Sequence, residues 1–563
     1  MGWFFKTQRV IYKPVEEVDL SPDSDEVYLR ANVKAPRMAG FLIKIAAWIL
    51  ESRILGAMLV YILKGENLIH KLVSFAELKE PPVYVPYHPW KDLKEQEAKC
   101  IPSELPPSEK AQHAVDCLPL CSDVIINTQQ PTFRRWTIQD YSRAYISGET
   151  TPLVVAKSFL DALHASSTPP LKMSFFISYN AEDILRQATE STLRYERGEP
   201  ISVLDGVPIA VKDEIDSKPY QTTGGTKWLH KLRHCTDDAC CVKHLRSCGA
   251  IIVGKTNMHE LGVGTSGINP HYGATRNPYD PSKVTGGSSS GSAAVVSAGL
   301  CPVALGVDGG GSVRIPASLC GVIGFKPTFG RVSHSGVLPL NWTVGMVGIL
   351  AGTVEDALIV YAAISGHHPS NQPTILPTVD VTLPEIEVMR LAHYLTIGSE
   401  CNASIRPHLE KMDVAELGCD ARVALRIYGA FNSREYLNAQ RIRNRQMHFY
   451  KHILERADFI VIPTTGVTAY PIMEDALKYG DFDYINGAAL VRYQIAGNFL
   501  GLPAVTVPVG YDKSGMPIGL QFIGRPWSES TLLHIAFAVQ VLSIQSYRKP
   551  KVFYNLLSKK EEP

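Results

Sequence analysis

Residues 285–316 read TGGSSSGSAAVVSAGLCPVALGVDGGGSVRIP, and the order of parts in this stretch decides the architecture. A glycine- and serine-rich loop gives way to small aliphatic residues at helical spacing, then to the apolar run CPVALGVD, then to a glycine turn and a second helix start. Apolar runs of four to seven β-branched or aliphatic residues, bounded by turn residues, predict buried strands. The same signature recurs in VPIAVKD (207–213) and AIIVGKT (250–256). Between such runs lie helical patterns such as IQDYSRAYISG (138–148) and TPLVVAKSFLDALHASS (151–167). Strands separated by helices point to an α/β layered fold. The glycine- and serine-rich start could also serve as a flexible linker, but a packed apolar run follows it directly.

Two of these runs end in residues with chemistry. In VDGGGSVRIP (307–316) the strand ends in an acid and three glycines, and the N–H groups of Gly309, Gly310, Gly311 and Ser312 can converge on one point because glycine leaves the turn unrestricted. Converging N–H groups are how an oxyanion hole is built. A Walker-type phosphate loop is excluded, since no G-x-x-x-x-G-K-[ST] pattern occurs. In DGVPIAVKDEI (205–215) Lys212 closes an apolar strand. It is either an edge residue with its ammonium in water or a buried lysine, and burial disfavours the charged form and so supplies a neutral amine able to act as a base.

Three further patterns are set aside. Residues 287–291 match G-x-S-x-G with Ser289 at the centre, but the preceding NPYDPSKVT is turn-forming and a nucleophile elbow needs a strand there. GVGTSG (262–267) matches G-x-G-x-x-G, yet a helix-like NMHEL (257–261) separates it from the strand, which the dinucleotide motif does not allow. His259-Glu260 lacks the second histidine of a zinc protease motif and reads as a pair on a helix surface.

Composition narrows the function classes. The 563 residues are 45% hydrophobic and 20% charged, which suits a globular chain with a sizeable core. Lys plus Arg number 56 against 55 Asp plus Glu, so the basic surplus of a nucleic-acid binder is missing and no nucleic-acid partner is expected. The eleven cysteines show no C-x-x-C spacing and read as free thiols of a reducing compartment. The opening MGWFFKTQRVIYK has no apolar h-region, so an intracellular, non-secreted protein is expected.

Residues 38–64, MAGFLIKIAAWILESRILGAMLVYILK, are interrupted by Lys44, Glu51 and Arg53, well short of the ~20 apolar residues of a membrane span. Two amphipathic helices are expected, either packed on the body or lying in a membrane interface. Proline and charge between residues 77 and 133 predict an extended surface connection. The resulting division is an N-terminal helical membrane or dimer appendage (1–76), a proline-rich wrapping linker (77–135) and a catalytic domain (136–563). No repeats or low-complexity tracts are present.

Taken together, VKD (211–213), GGSSSGS (286–292) and GGSVRIP (310–316) resemble the amidase-signature family, and GLPAVTVPVG (501–510) and GMPIGLQFIGRPW (515–527) extend the resemblance over about residues 135–545. Within that family, SCGAIIVGKTNMHELGVGTSG (247–267) and the N-terminal apolar segment are similar to plant fatty acid amide hydrolases. The resemblance implies a central twisted mixed β-sheet covered by helices, and a serine–serine–lysine triad with no metal and no cofactor. It implies Lys212 as base, Ser288 as the bridging serine on a cis peptide bond, and Ser312 as nucleophile, with Val263 in contact with substrate. Asp308 and Arg314 are expected to hold the turn, and Ser289 to add hydrogen bonding outside the triad. The implied substrate is a lipid amide such as an N-acylethanolamine, and the implied assembly is a homodimer touching the endoplasmic reticulum or plasma membrane through residues 38–64. Residues 366–389 are shorter than the family's usual stretch, which predicts a short or covered sheet edge and an altered acyl channel, and keeps shorter or aromatic acyl amides open as substrates. A catalytically dead scaffold is the rival from another class, and a transamidating subunit acting on charged transfer RNA is the second. The dead scaffolds carry tetratricopeptide repeats, which are missing here, and lose catalytic residues that this chain retains.

Overall fold

The computed structural model describes residues 37–70, 78–86, 101–102, 104–118, 133–366, 383 and 385–557. The three apolar runs quoted first are strands: Pro208–Lys212, Ile251–Thr256 and Val303–Asp308, each buried along its whole length. In chain order the strands are β1 (Met38–Ala39), β2 (Phe176–Ser178), β3 (Pro208–Lys212), β4 (Ile251–Thr256), β5 (Val303–Asp308), β6 (Ile323–Lys326), β7 (Met346–Ala351), β8 (Phe459–Pro463), β9 (Asp481–Phe482), β10 (Ala504–Tyr511) and β11 (Pro517–Gly524). Nine of them form one sheet in the order β2-β4-β3-β5-β7-β6-β10-β11-β8. Strand β3 runs parallel to β4 and β5, while the other pairings are antiparallel, so the sheet is mixed. Parallel strands covered by helices on both faces need continuous apolar sequence rather than alternation, which is why these runs were legible. Its edges, β2 and β8, are three and five residues long; residues 367–382, on which the expectation of a short or covered edge rests, lie outside the described residues.

The helices include α1 (Gly40–Glu51), α2 (Leu55–Glu66), α3 (Pro107–Asp116), α4 (Ile138–Ile146), α5 (Pro152–Ser167), α6 (Ser290–Ser297), α7 (Arg314–Cys320), α8 (Val354–Ile364), α9 (Ile386–Leu409), α10 (Cys419–Tyr428), α11 (Ser433–Leu454) and α12 (Tyr484–Val491). Local chemistry starts several of them. Thr137 and Asp140 form a reciprocal capping box at α4, and Thr151 caps α5 just ahead of Pro152. Helix α6 is buried at every position, because its Ser, Gly, Ala and Val side chains are small enough to let it press on the sheet.

One expectation about the N-terminal third changes. The segment 77–135 is not extended throughout: α3 lies inside it, and Ala111 and Ala114, three residues apart on one face, are fully buried against the main core. Proline opens that helix at its first turn, where no N–H is needed; proline content alone therefore misread a helix start as a linker. Helices α1 and α2 form as expected and meet at a bend of 110°. Ile43, Ala47 and Leu50 of α1 are buried against Val423 and Ile427 of α10, while Phe41, Trp48 and Ile54 face outward and are 71%, 67% and 82% exposed. No single described helix is long and apolar enough to cross a membrane.

Candidate active site

The parallel register sets Lys212 in place. Val211 pairs with Leu305, so Lys212 at the end of β3 reaches alongside the last turn of β5, and its Nζ donates to the Val307 carbonyl at 3.1 Å. Lys212 is therefore interior, with no exposed side-chain surface, rather than an edge residue. Its Nζ also lies 2.8 Å from Ser288 Oγ and 2.8 Å from a carboxylate oxygen of Glu214.

Ser288 sits in the glycine-serine loop before α6, and the Gly287–Ser288 peptide bond is cis. The loop can lie there only because residue 287 has no side chain: a Cβ would stand 2.9 Å from the Gly267 nitrogen. The Ser288 carbonyl accepts from His259 N–H at 3.1 Å, and the next N–H, of Ser289, donates to the Ser312 carbonyl at 3.1 Å. That second bond ties the two serine-bearing loops together. Ser289 is fully buried and its Oγ donates to the Val307 carbonyl at 3.4 Å.

The turn after β5 is held by Asp308. Its carboxylate accepts from Gly311 N–H at 2.6 Å, from Val313 N–H at 3.1 Å and from Arg314 Nε at 3.1 Å. Burial alone raises a carboxyl, but the Arg314 guanidinium outweighs it and holds Asp308 well below the ordinary carboxylate range. Arg314 is in turn fixed to the Gln494 carbonyl, the Gln521 side chain and the Asn498 side chain. Both residues act on the backbone, as the sequence suggests.

One expectation is corrected here. The Gly311 N–H is engaged by Asp308, and a Cβ at residue 311 would stand 2.5 Å from Gln494, so this glycine serves close packing rather than the oxyanion. The N–H groups of Gly309, Gly310 and Ser312 have no partner among the described residues.

The cavity beside Ser312 measures about 170 Å³. Val263 lines it, with the neighbouring residues of the 262–266 loop, and so do Tyr394, Tyr428, Phe482 and Tyr484. Arg390, also on its wall, is neutralised by Glu387 at 2.9 Å and donates to Tyr484 Oη at 3.1 Å. The wall segment 481–482 is strand β9, which pairs with the N-terminal β1, so the appendage contributes structure to the cavity. Arg37 bonds Asp481 at 3.2 Å; burial still pushes that carboxyl up to about 6.

Sequence reasoning missed His393, which stands on α9 and approaches the Gly309 carbonyl at 2.8 Å. Burial pushes its imidazole down to about 4, so at neutral pH the neutral ring donates Nε2–H and orients the first glycine of the turn. No pattern near residue 393 marks it. His259 and Glu260 are not a surface pair but fully interior: Glu260 accepts from His271 at 2.8 Å and from Gly418 N–H at 2.9 Å, and His259 lies 3.2 Å from Asp420. The helix-like reading of NMHEL fails for the same reason, since only a short 3-10 turn, Glu260–Gly262, forms there. Among the described residues no three His, Cys, Asp or Glu side chains converge as a metal site requires.

The family described as Amidase matches residues 159–388 and 391–533. A fatty acid amide hydrolase of Oryza sativa subsp. japonica is 39% identical over 97% of this chain and 98% of its own length. One from Medicago truncatula is 40% identical over 97% and 98%. A solved amidase crystal structure superimposes with a TM-score of 0.64 at 27% identity, covering 72% of this chain and 100% of that one.

Proposed function

Because this chain belongs to the amidase family and is an amide hydrolase, we propose that it cleaves fatty acid amides through an acyl-enzyme on Ser312. The observation that carries the reading is the buried Lys212–Ser288 hydrogen bond beside a cavity that Ser312 lines. Ser312 Oγ attacks the amide carbonyl as its proton passes to Ser288 Oγ, whose own proton passes to Lys212 Nζ. The tetrahedral oxyanion is met by the N–H groups of Gly309, Gly310 and Ser312, each such donor contributing about 3 kcal/mol. The proton then returns through Ser288 to the departing nitrogen, so that an amine leaves rather than an amide anion. Water attacks the ester by the same relay and releases the acid.

The lipid character of the substrate, N-acylethanolamines included, is supported by the plant relatives. A second reading is favoured by the cavity itself. At about 170 Å³ it is comparable to a cavity of roughly 150 Å³ that holds benzene, and five tyrosine and phenylalanine rings line it, which suits shorter or aromatic acyl groups. A panel of N-acyl amides decides between them. Long-chain preference predicts kcat/KM rising with each added methylene, since each buried CH₂ is worth about 0.8 kcal/mol; a maximum at short or aryl chains would assign the second substrate class. No turnover of any amide would sink both.

The outward apolar face of α1 and α2 supports peripheral membrane contact, and a homodimer is the other use of that face. Replacing Trp48 and Ile54 by serine is expected to lower partition onto phosphatidylcholine vesicles by at least about tenfold, as each side chain buries apolar surface worth about 2 kcal/mol. Unchanged sedimentation with vesicles, together with loss of a dimer in gel filtration, would assign the face to a second copy.

A further inference from the structure

We propose that Glu214 is a positioning residue for the base, extending the relay to Ser312–Ser288–Lys212–Glu214; this rests on the triad reading above. Glu214 stands two residues after Lys212, in the turn that the Ile215 N–H closes on the Lys212 carbonyl at 3.0 Å, and this turn folds the glutamate back onto the lysine. Its carboxylate lies 2.8 Å from Lys212 Nζ, with 4% of its own side chain exposed and none of the lysine's.

The geometry around Nζ gives the contact a purpose. Three groups surround the nitrogen: the Val307 carbonyl, the Glu214 carboxylate and Ser288 Oγ. A neutral amine carries two N–H groups and one lone pair. With Val307 and Glu214 holding the two N–H groups, the lone pair is left directed at Ser288, the hydroxyl whose proton it must take. When that proton arrives, an ammonium forms in a site without solvent, and a charge created there is costly unless paired. The Glu214 carboxylate is the counter-charge already in contact. It does for a lysine base what a buried aspartate does for a histidine base, fixing its orientation and balancing its charge without itself being protonated.

No neighbouring acid can substitute. Asp213 is engaged elsewhere: it pairs with Lys255 at 3.2 Å and accepts from Thr223 N–H at 3.1 Å. Asp308 is committed to Arg314. Burial pushes the thiol of Cys401 on α9 up to about 12, with the Glu214 charge adding to it, so it stays neutral.

The test uses the full-length protein with Glu214→Gln and Glu214→Asp, measuring kcat on an amide and the pH dependence of Ser312 labelling by a fluorophosphonate. Glu214→Gln is expected to lower kcat by roughly 10²–10⁴. Removing a negative charge disfavours the ammonium, so the acid limb of labelling should move to lower pH, by about one unit or more. Glu214→Asp should show a smaller change in both. A labelling profile that superimposes on the wild type would overturn the proposal even if kcat falls, because lost packing alone does not move the limb. Should the glutamine variant not fold, the aspartate variant decides by the same criterion. Failure of the underlying triad would read differently, as labelling or turnover that survives Ser312→Ala.

Discussion

Ser312→Ala lowers kcat for amide hydrolysis by roughly a millionfold, the scale seen when the nucleophile of a serine hydrolase relay is removed. The loss is expected to be chemical and not structural. The Ser312 atom that organises the site is its backbone carbonyl, which holds the Ser289 N–H, and alanine keeps it. Ser312 lines the cavity, so removal of its hydroxyl should change stability by no more than about 0.5 kcal/mol. Because the relay acts as one unit, Lys212→Ala added to Ser312→Ala should cost little more than either alone. Steady-state rates with a long-chain and an aryl amide, together with a urea titration of each variant, check both halves. Equal turnover by wild type and Ser312→Ala would remove the nucleophile from this position.

Arg314→Met destabilises the fold by about 3–5 kcal/mol, the cost of leaving one partner of a buried ion pair without compensation. Both side chains of the Asp308–Arg314 pair are fully buried, and Asp308 also carries the turn's N–H groups. The variant should therefore lose Ser312 labelling as well as stability. The double variant Asp308→Asn, Arg314→Met should regain part of the stability, since the charges leave together. The pH dependence has a definite sign. Asp308 is held below its unfolded value near 3.9, so the pair's contribution is complete above about pH 4 and is lost as pH falls further. The stability gap between wild type and Arg314→Met should be flat from pH 8 to 5 and shrink in stronger acid. A gap below 1 kcal/mol by denaturant titration at pH 7 would show the pair to be replaceable.

The catalytic body was legible because its requirements are local. Strands β3, β4 and β5 lie inside the sheet, and a strand covered on both faces must be apolar throughout; that is visible in any window of six residues. The turn at 308–314 needed glycine for a positive backbone angle at Gly311 and for close approach to Gln494, and glycine clusters are equally visible. Context also separated Ser312 from Ser289, since one serine follows a strand and the other follows a turn-forming segment.

What stayed hidden was pairing across the chain. His393 reaches Gly309 over 84 residues, His259 meets Asp420, and β1 joins β9 to build a cavity wall from the N-terminal appendage. The helix inside the proline-rich connection was missed because its evidence is burial of Ala111 and Ala114 against another segment.

The sequence by itself determined the α/β sheet and the family, and singled out Lys212, Ser288 and Ser312 as candidates, because each is written into a short segment whose backbone demands particular residue types. Only the tertiary structure decided that Lys212 is interior and beside Glu214, that the Gly311 N–H belongs to Asp308, and that the cavity is small and ringed by tyrosines. Those outcomes depend on which strands lie side by side and in what register, and a hydrogen bond goes to whichever partner the packing brings within about 3 Å.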